Sequence, residues 1–184
     1  LAKKDSRVKV ISFSRNFGKE AAILAGLRHA NGDLVTIIDA DLQQRPGVAL
    51  QMVDFLVANE QYDAVAAYQE QRIESKRMSW VKGLFYRMIN HVSDTYFYPS
   101  ASDFRTLRRS VVDALISLPE YYRFSKGLFS WVGFETYYMP YKAEERNAGE
   151  SKWSFWKLMK YAVDGFISFT TFPLKIAIYI GVVL

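Results

Sequence analysis

The stretch DLVTIIDADLQ, residues 33–43, decides the fold of this chain. Its first part, residues 34–38, is a short run of apolar and β-branched side chains bounded by glycine and by polar residues. Such a run predicts a strand that is buried on both faces of a sheet. Ligands of open α/β sheets bind where strands end, so the polar side chains that follow are expected at a ligand site. These side chains are Asp39, Asp41 and Gln43.

Carboxylate and amide oxygens are the donors that Mg²⁺ and Mn²⁺ prefer, and such ions usually share their coordination shell with substrate phosphates. We therefore expect Asp39, Asp41 and Gln43 to bind one of these two ions. The alternative is structural, because an aspartate after a strand also closes a turn or caps a helix. The D-x-D pattern alone leaves both interpretations open.

Helix and strand signals surround this stretch. Alternation predicts a strand at 8–13, and a face of small residues predicts a helix at 19–30. A proline near the first helical position and an apolar stripe predict a second helix at 46–59, and a third strand follows at 62–68. The order β-α-β-α-β is typical of a parallel sheet with helices on its faces, so the fold class is α/β.

The second half of the chain is richer in aromatic residues. A helix is predicted at about 78–93, and residues 100–105 are expected to lead into a helix at 109–117. A late strand is predicted at 134–141. The helix predicted at 153–167 carries a broad apolar face with Trp, Tyr and Lys, which suits the interface of a bilayer.

Composition narrows the functional classes. The chain has 184 residues, half of them hydrophobic, which predicts one domain with a sizeable core and excludes a disordered chain. A net charge of +5 favours a phosphate-bearing partner, and no zinc-finger or RNP pattern points to nucleic acid. Since there is no Cys, disulfides, thiolate ligands and a Cys nucleophile are excluded.

The C-terminal residues 169–184 are strongly apolar, although Pro173 and Lys175 interrupt them. A membrane-spanning helix needs about 20 apolar residues. We interpret this segment as the start of a transmembrane helix that is cut short. A buried C-terminal core helix is the alternative.

Several motifs together resemble one family, the GT-A family 2 glycosyltransferases, and within it the polyprenyl-phosphate branch of dolichol-phosphate mannose synthases and bactoprenol glucosyl transferases. They occur in the family's order along nearly the whole chain, which is far more specific than D-x-D alone. The motifs are RNFGKE (15–20), AGL (25–27), GD (32–33), DADLQ (39–43), SDFR (102–105), RF (123–124), GL (127–128), WVG (131–133), ERNAGESK (145–152) and DGFISF (164–169).

The resemblance implies a GT-A, Rossmann-like, mostly parallel sheet flanked by helices. We expect a partial catalytic domain at 1–150, with a basic, amphipathic acceptor-side region at about 70–98. An interfacial amphipathic helix would follow at 151–168, and the truncated transmembrane segment at 169–184. The family's first two strands have no counterpart here and are expected upstream of Leu1, so we expect the chain to be a fragment.

The resemblance also implies a reaction. A metal-dependent hexosyltransferase would move a hexose, with inversion, from a UDP- or GDP-linked sugar to undecaprenyl or dolichyl phosphate. The product would be a lipid-linked sugar donor for cell-envelope polysaccharide. Mg²⁺ or Mn²⁺ would be the cofactor, and the lipid bilayer a partner. The expected location is the cytoplasmic face of a membrane, in particular the bacterial inner membrane. The oligomeric state is left open and includes a homo-oligomer.

Residue roles follow from the same resemblance. Asp103 and Asp41 would be catalytic, and Asp103 is expected to orient the acceptor or stabilise charge more than to take a proton. The donor diphosphate would be bound by Arg15, Gly18, Lys19, Asp39, Arg146, Ser151 and Lys152. The acceptor phosphate would be bound by Arg72, Arg77, Lys82, Arg87, Arg105 and Arg123. Singly, each basic residue is equally well explained as a solvated surface charge, but the set indicates phosphate binding.

Three other functions compete with this interpretation. A processive polysaccharide synthase of the same superfamily would carry a Gln-x-x-Arg-Trp motif, which the sequence lacks. A non-catalytic module that docks on a membrane surface would tolerate neutralisation of Asp39 and Asp41. A soluble nucleotide-binding protein would have no reason for the interfacial tryptophans and the apolar tail.

Overall fold

A four-stranded mixed sheet forms the centre of the computed structural model, which describes residues 2–41, 43–69, 83, 87, 90, 98, 101–120, 123–142 and 172–183. The sheet order is β1-β3-β2-β4. The strands are β1 (Leu34–Ile37), β2 (Ala64–Gln69), β3 (Ala101–Arg108) and β4 (Thr136–Tyr141).

Strand β3 changes the predicted topology. It pairs antiparallel with both β1 and β2, whereas β2 and β4 pair in parallel. Strands β1, β2 and β4 therefore share one direction, but only one neighbouring pair is parallel. The prediction of a mostly parallel sheet is corrected to a mixed one because Ala101–Arg108, for which no strand was predicted, forms a strand between β1 and β2.

The described helices agree with the sequence patterns within a residue or two where a helix was predicted. Strand β2 and strand β4 also lie within the predicted segments, apart from Gln69. One helix, at 125–131, was not predicted. The helices are α1 (Lys19–His29), α2 (Pro46–Ala58), α3 (Arg109–Ser117), α4 (Ser125–Trp131) and α5 (Phe172–Val183).

Helices pack on both faces of the sheet. One buried cluster joins α1, α3 and α4 to the sheet, and the other joins α2 to it. Neighbouring residues of β2 divide between them, since Ala64 belongs to the first cluster and Val65 to the second. This division follows from the alternation of side chains along a strand. The result is a helix–sheet–helix arrangement that is consistent with the predicted GT-A architecture.

Arginines complete the C-terminal ends of three helices. Arg108, Arg109 and Arg123 donate hydrogen bonds to backbone carbonyls at the ends of α2, α1 and α3, respectively. The accepting carbonyls include those of Leu56 at 2.6 Å, Ala30 at 2.9 Å and Leu115 at 2.9 Å. A cation there satisfies carbonyls that lack intrahelical partners and lies at the negative end of the helix dipole.

Two predictions about strands are wrong. Residues 8–13 do not form a strand, and their apolar side chains are exposed, with Val10 at 76%. Within the described residues this segment has no neighbouring strand to accept its hydrogen bonds, and an alternating pattern needs such a partner. Strand β1 is half-buried, not buried on both faces, because it lies at the edge of the described sheet.

The C-terminal segment forms the helix α5, in which Ile178, Tyr179, Ile180 and Val182 are exposed. Across the described ranges, no helix combines the length and the hydropathy that crossing a bilayer requires. The interfacial helix predicted at 151–168 lies outside the described residues. Of the helix predicted at about 78–93, residues 83, 87 and 90 are described, and they are helical.

Candidate active site

Lys19 joins two carboxylates that come from different strands. Its ammonium lies 2.9 Å from Oδ1 of Asp39, just beyond the end of β1, and 2.7 Å from Oδ2 of Asp103 on β3. The ammonium is also 3.1 Å from the second oxygen of Asp39. Three residues that the sequence singled out separately therefore meet at one place.

The start of α1 places Lys19 in this position. Gly18, directly before it, has a φ of +88°, a conformation that strains residues with a side chain. Its N–H group donates to the side-chain oxygen of Asn16 at 2.9 Å, which closes the turn. The RNFG sequence thus forms the turn from which α1 begins at Lys19.

A bulge in β3 places Asp103. Ala66 of β2 pairs with Arg105 and Tyr68 pairs with Ala101, so residues 102–104 stand opposite a single residue of β2. Within this irregular part of the ladder, the hydroxyl of Ser102 donates a hydrogen bond to the carbonyl of Ala67 at 2.8 Å. Bulges re-aim side chains, and this one carries the carboxylate that Lys19 contacts.

Asp103 is nearly buried, with 11% of its side chain exposed. Burial raises the pKa of this carboxyl, but the positive charges of Lys126, Lys19 and Arg105 outweigh burial and hold the pKa below its ordinary value. Its second oxygen, Oδ1, is buried and has no hydrogen-bond partner among the described residues. Asp103 is therefore an ionised carboxylate with one acceptor to spare.

Lys19 carries the complementary charge. Partial burial lowers its pKa, but Asp103 and Asp39 outweigh burial and raise the pKa above its ordinary value. The ammonium therefore stays protonated at neutral pH. Its side chain is 45% exposed and that of Asp39 is 36% exposed, so solvent reaches this side of the cluster.

Gln44 fixes the other side of Asp39. Its amide oxygen accepts a hydrogen bond from the Asp39 N–H at 2.7 Å, and its amide nitrogen donates to Oδ2 of Asp39 at 3.2 Å. Gln44 is 7% exposed. Asp41, by contrast, is exposed and accepts a hydrogen bond from the N–H of Gln43 at 3.2 Å, which is the turn contact that the structural alternative predicts.

Arg105 lies beneath the cluster. Its guanidinium stacks 3.8 Å above the ring of Phe129 and donates to the carbonyl of Ser102 at 2.9 Å. Burial lowers the pKa of Arg105 to about 10, although Asp103 and Tyr138 act in the opposite direction. Arg105 is 5% exposed, so its charge acts on Asp103 from within the protein. That it binds the acceptor phosphate stays a prediction.

The start of α4 is tied to the start of α1. Glu20 accepts hydrogen bonds from the N–H of Ser125, at 3.0 Å, and from its hydroxyl. The next residue, Lys126, exerts the largest charge effect on Asp103. Lys19 and Glu20 thus contact, respectively, Asp103 and the turn of α4 that presents a second lysine to it.

The other predicted phosphate ligands are spread out. Arg15 lies 4.6 Å from the ring of Phe17, and Arg87 is an exposed helical residue. Arg123 donates to the end of α3, and burial lowers its pKa even though Glu120 and Glu20 raise it. The predicted ligands that lie outside the described residues are Arg72, Arg77, Lys82, Arg146, Ser151 and Lys152.

A divalent ion at this site would need oxygen ligands. Within the described ranges, no three His, Asp or Glu side chains stand close enough to hold a metal by themselves. Mg²⁺ does not need such a set, because it is usually held by one or two carboxylates together with substrate phosphates. Asp39 already attracts a cation, the Lys19 ammonium, at a partly exposed position. Its partly exposed oxygens therefore fit a divalent ion whose remaining ligands are water molecules or substrate phosphates.

Gln44, Glu20, Ser125 and Lys126 are the contacts that the sequence analysis missed as site residues. Glu20 and Ser125 are 105 residues apart in the chain. No local spacing links such residues. Gln44 follows another glutamine, so only its burial distinguishes it, and burial depends on the tertiary structure.

Comparison with known proteins identifies a family to which the chain is similar. Residues 1–116 match the family model described as glycosyl transferase family 2. The chain belongs to this family. Lys19, Asp39 and Asp103 all lie in the matched residues of the family 2 glycosyltransferase, whereas α4 with Lys126 lies beyond them.

Curated relatives cover nearly all of this family 2 chain. A Bacillus subtilis (strain 168) protein named "Putative glycosyltransferase CsbB" is 45% identical over 99% of this chain and 55% of its own length. The prophage bactoprenol glucosyl transferase homolog of Escherichia coli (strain K12) is 40% identical, over 100% and 60%. The bactoprenol glucosyl transferase of Shigella phage SfV is 41% identical, over 98% and 59%. The chain thus spans somewhat more than half the length of these relatives.

Proposed function

We propose that the protein transfers a hexose, with inversion, from a nucleotide diphosphate sugar to a polyprenyl phosphate. The observation that carries this proposal is the 40–41% identity to bactoprenol glucosyl transferases over at least 98% of this chain. Bactoprenol is a polyprenol, so those names support a polyprenyl-phosphate acceptor. Membership of glycosyl transferase family 2 supports a sugar donor activated by a nucleotide.

The acceptor needs little help to become a nucleophile. A phosphate monoester has a second pKa of about 6 and is largely ionised at neutral pH. A general base works best with a pKa near the operating pH, whereas the charges around Asp103 hold its pKa below the ordinary carboxyl value. This favours a role for Asp103 in orienting groups and balancing charge over a role in accepting a proton.

The leaving group is a nucleoside diphosphate, on which negative charge develops as the sugar departs. Asp39, Asp41 and Gln43 would hold Mg²⁺ or Mn²⁺ near it, and the bound ion would supply charge neutralisation. Lys19 adds a protonated ammonium from the protein itself. Arg15 and Gly18 flank Lys19 in sequence and are proposed to contact the donor diphosphate, together with the late loop residues Arg146, Ser151 and Lys152.

Two anionic substrates must be held together against their repulsion. The net charge of +5 supports this task. The proposed acceptor ligands are Arg72, Arg77, Lys82, Arg87, Arg105 and Arg123. The exposed apolar side chains of α5, among them Ile178 and Val182, support placement of the protein at a membrane. The cytoplasmic face of that membrane is proposed as the place of the reaction.

The decisive experiment uses membranes that contain the protein at its full natural length. They are supplied with polyprenyl phosphate, Mg²⁺ or Mn²⁺, and a panel of nucleotide sugars, and the lipid product is identified by mass spectrometry. We expect a polyprenyl-phosphate hexose that disappears without metal and in Asp41→Asn. The matched control is Asp54→Asn, which removes the same charge from an exposed position of α2 and should leave the product unchanged. A folded protein that forms no product with any donor contradicts the proposal.

A further inference from the structure

The Lys19 ammonium is fully engaged by carboxylate oxygens. It has three N–H donors, and three oxygens lie within 3.1 Å: both of Asp39 and Oδ2 of Asp103. Asp39 also lies two residues beyond the end of β1 and is one of the residues proposed above to hold a divalent ion. A cation of the protein therefore already lies where the cation of the substrate complex is expected.

We propose that Lys19 holds the place of the divalent ion at Asp39, so that the ion and the ammonium exclude each other there. The inference rests on the proposed function and deepens it, because it names what the ion must displace. A divalent ion bound to Asp39 would lie within a few ångströms of the ammonium, and two cations that close repel each other.

The structure offers Lys19 a second position. Oδ1 of Asp103 is buried and has no partner among the described residues, while Oδ2 already contacts the ammonium. An ammonium that leaves Asp39 can therefore donate to both oxygens of Asp103. This exchange would satisfy an acceptor that otherwise stays buried without a hydrogen bond.

Asp39 itself is held independently of Lys19. Gln44 contacts its backbone N–H at 2.7 Å and its Oδ2 at 3.2 Å. The amide of Gln44 is neutral, so it does not repel an incoming ion. Asp39 thus remains in place when Lys19 moves. An ion that binds to Asp39 would displace the ammonium of Lys19, which would then contact both oxygens of Asp103.

The test is direct binding of Mn²⁺ to the full-length protein without nucleotide, followed by the electron paramagnetic resonance signal of the free ion. Lys19→Met removes the competitor and should tighten Mn²⁺ binding by about threefold to tenfold, a modest gain because solvent partly screens the pair. Lys19→Arg keeps the charge and should stay within about twofold of the wild type.

Two controls locate the effect. Lys9→Met removes the same charge beside Arg28 and His29, at the opposite end of α1, and should not tighten binding. Adding Asp39→Asn to Lys19→Met should abolish the gain. The inference is overturned if Lys19→Met binds Mn²⁺ no more tightly than the wild type, if Lys9→Met gains as much, or if the gain survives Asp39→Asn. Because no sugar donor is present, these outcomes are separate from failure of the transfer reaction.

Discussion

The two ends of α1 differ in the kind of contact they make. At the C-terminal end, Arg109 donates to the carbonyls of Ala30 and Gly32, and the helix is closed by one guanidinium. At the N-terminal end, Lys19 bridges acidic side chains, and Oδ1 of Asp103 is left without a partner among the described residues. The polar groups named at the C-terminal end are hydrogen-bonded. The N-terminal end holds charged side chains and one carboxylate oxygen without a partner among the described residues.

The C-terminal end of α1 thus contributes mainly to the stability of the fold, and the N-terminal end contributes to the candidate site. A closed end gains nothing from a ligand, whereas an end with an unused acceptor and exchangeable ion pairs can respond to one. We therefore expect substitutions at the C-terminal end to lower the free energy of unfolding. Substitutions at the N-terminal end should lower the rate of transfer.

The largest effect is expected for Asp103→Asn. It removes the charge that faces Lys19 while keeping the shape of the side chain, and the initial rate of lipid-linked sugar formation should fall at least about 100-fold. Thermal stability should fall only by the contribution that the ionised Asp103 makes to the fold. Asp113→Asn, at an exposed position of α3, is the control and should keep the wild-type rate. An Asp103→Asn variant that keeps the wild-type rate would show that this residue is not part of the site.

Arg109→Met removes the hydrogen bonds that Arg109 donates at the C-terminal end of α1. The carbonyls of Ala30 and Gly32 lose a charged donor, so the free energy of unfolding should fall by about 1 to 2 kcal/mol in a urea titration. The rate per folded molecule should be unchanged. Arg7→Met removes an exposed pair with Asp5 and should alter the unfolding free energy much less. Equal effects of the two variants would mean that the end of α1 is not closed by Arg109.

Glu20→Gln tests the second contact at the N-terminal end of α1. The variant weakens the contact that ties Ser125 to α1, so Lys126 should be held less firmly near Asp103. We expect the rate to fall by about threefold to tenfold, with Ser125→Ala acting in the same direction. Glu60→Gln, an exposed substitution of the same type, should have no effect. If Glu20→Gln has the same rate as Glu60→Gln, the contact between Glu20 and Ser125 does not contribute to the transfer reaction.

The smallest effect concerns acid stability. The pKa of Asp103 in the folded protein lies below its ordinary value of 3.8, so the unfolded chain binds the proton more readily. Ionised Asp103 therefore stabilises the fold above that value, and the contribution is lost as pH falls through the folded pKa. Unfolding free energies measured at pH 7, 5, 4 and 3 should decline less steeply in Asp103→Asn. A steeper decline in the variant would contradict a lowered pKa of Asp103 in the folded protein.

The sequence predicted the elements whose signals are local. Helices α1, α2 and α3 begin or end at glycine, proline or apolar stripes that can be read directly. Strand β3 escaped because ASDFRTLR is too polar to look like a buried strand. Its polar groups are satisfied only by tertiary contacts, such as the 2.9 Å bond between the hydroxyls of Thr36 and Thr106.

The site was predicted as separate residues but not as an arrangement. Lys19, Asp39 and Asp103 were named from motifs, and their side chains meet. The bulge that aims Asp103 depends on pairing with β2, which no single segment encodes. The burial of Arg105 was likewise hidden, since an arginine in sequence looks like a surface charge.

The adjacent arginines Arg108 and Arg109 have a consequence for synthesis on the ribosome. They close α2 and α1, which pack on opposite faces of the sheet. Arg108 is the last residue of β3, the strand that separates β1 from β2, and Arg109 follows it directly. Before this segment is synthesised, the C-terminal carbonyls of both helices lack these arginine donors, and β3 is missing between β1 and β2. Neither helix layer can therefore pack fully on the sheet until this short segment has been synthesised, and a pause in translation there would leave the strands β1 and β2 accessible to chaperones.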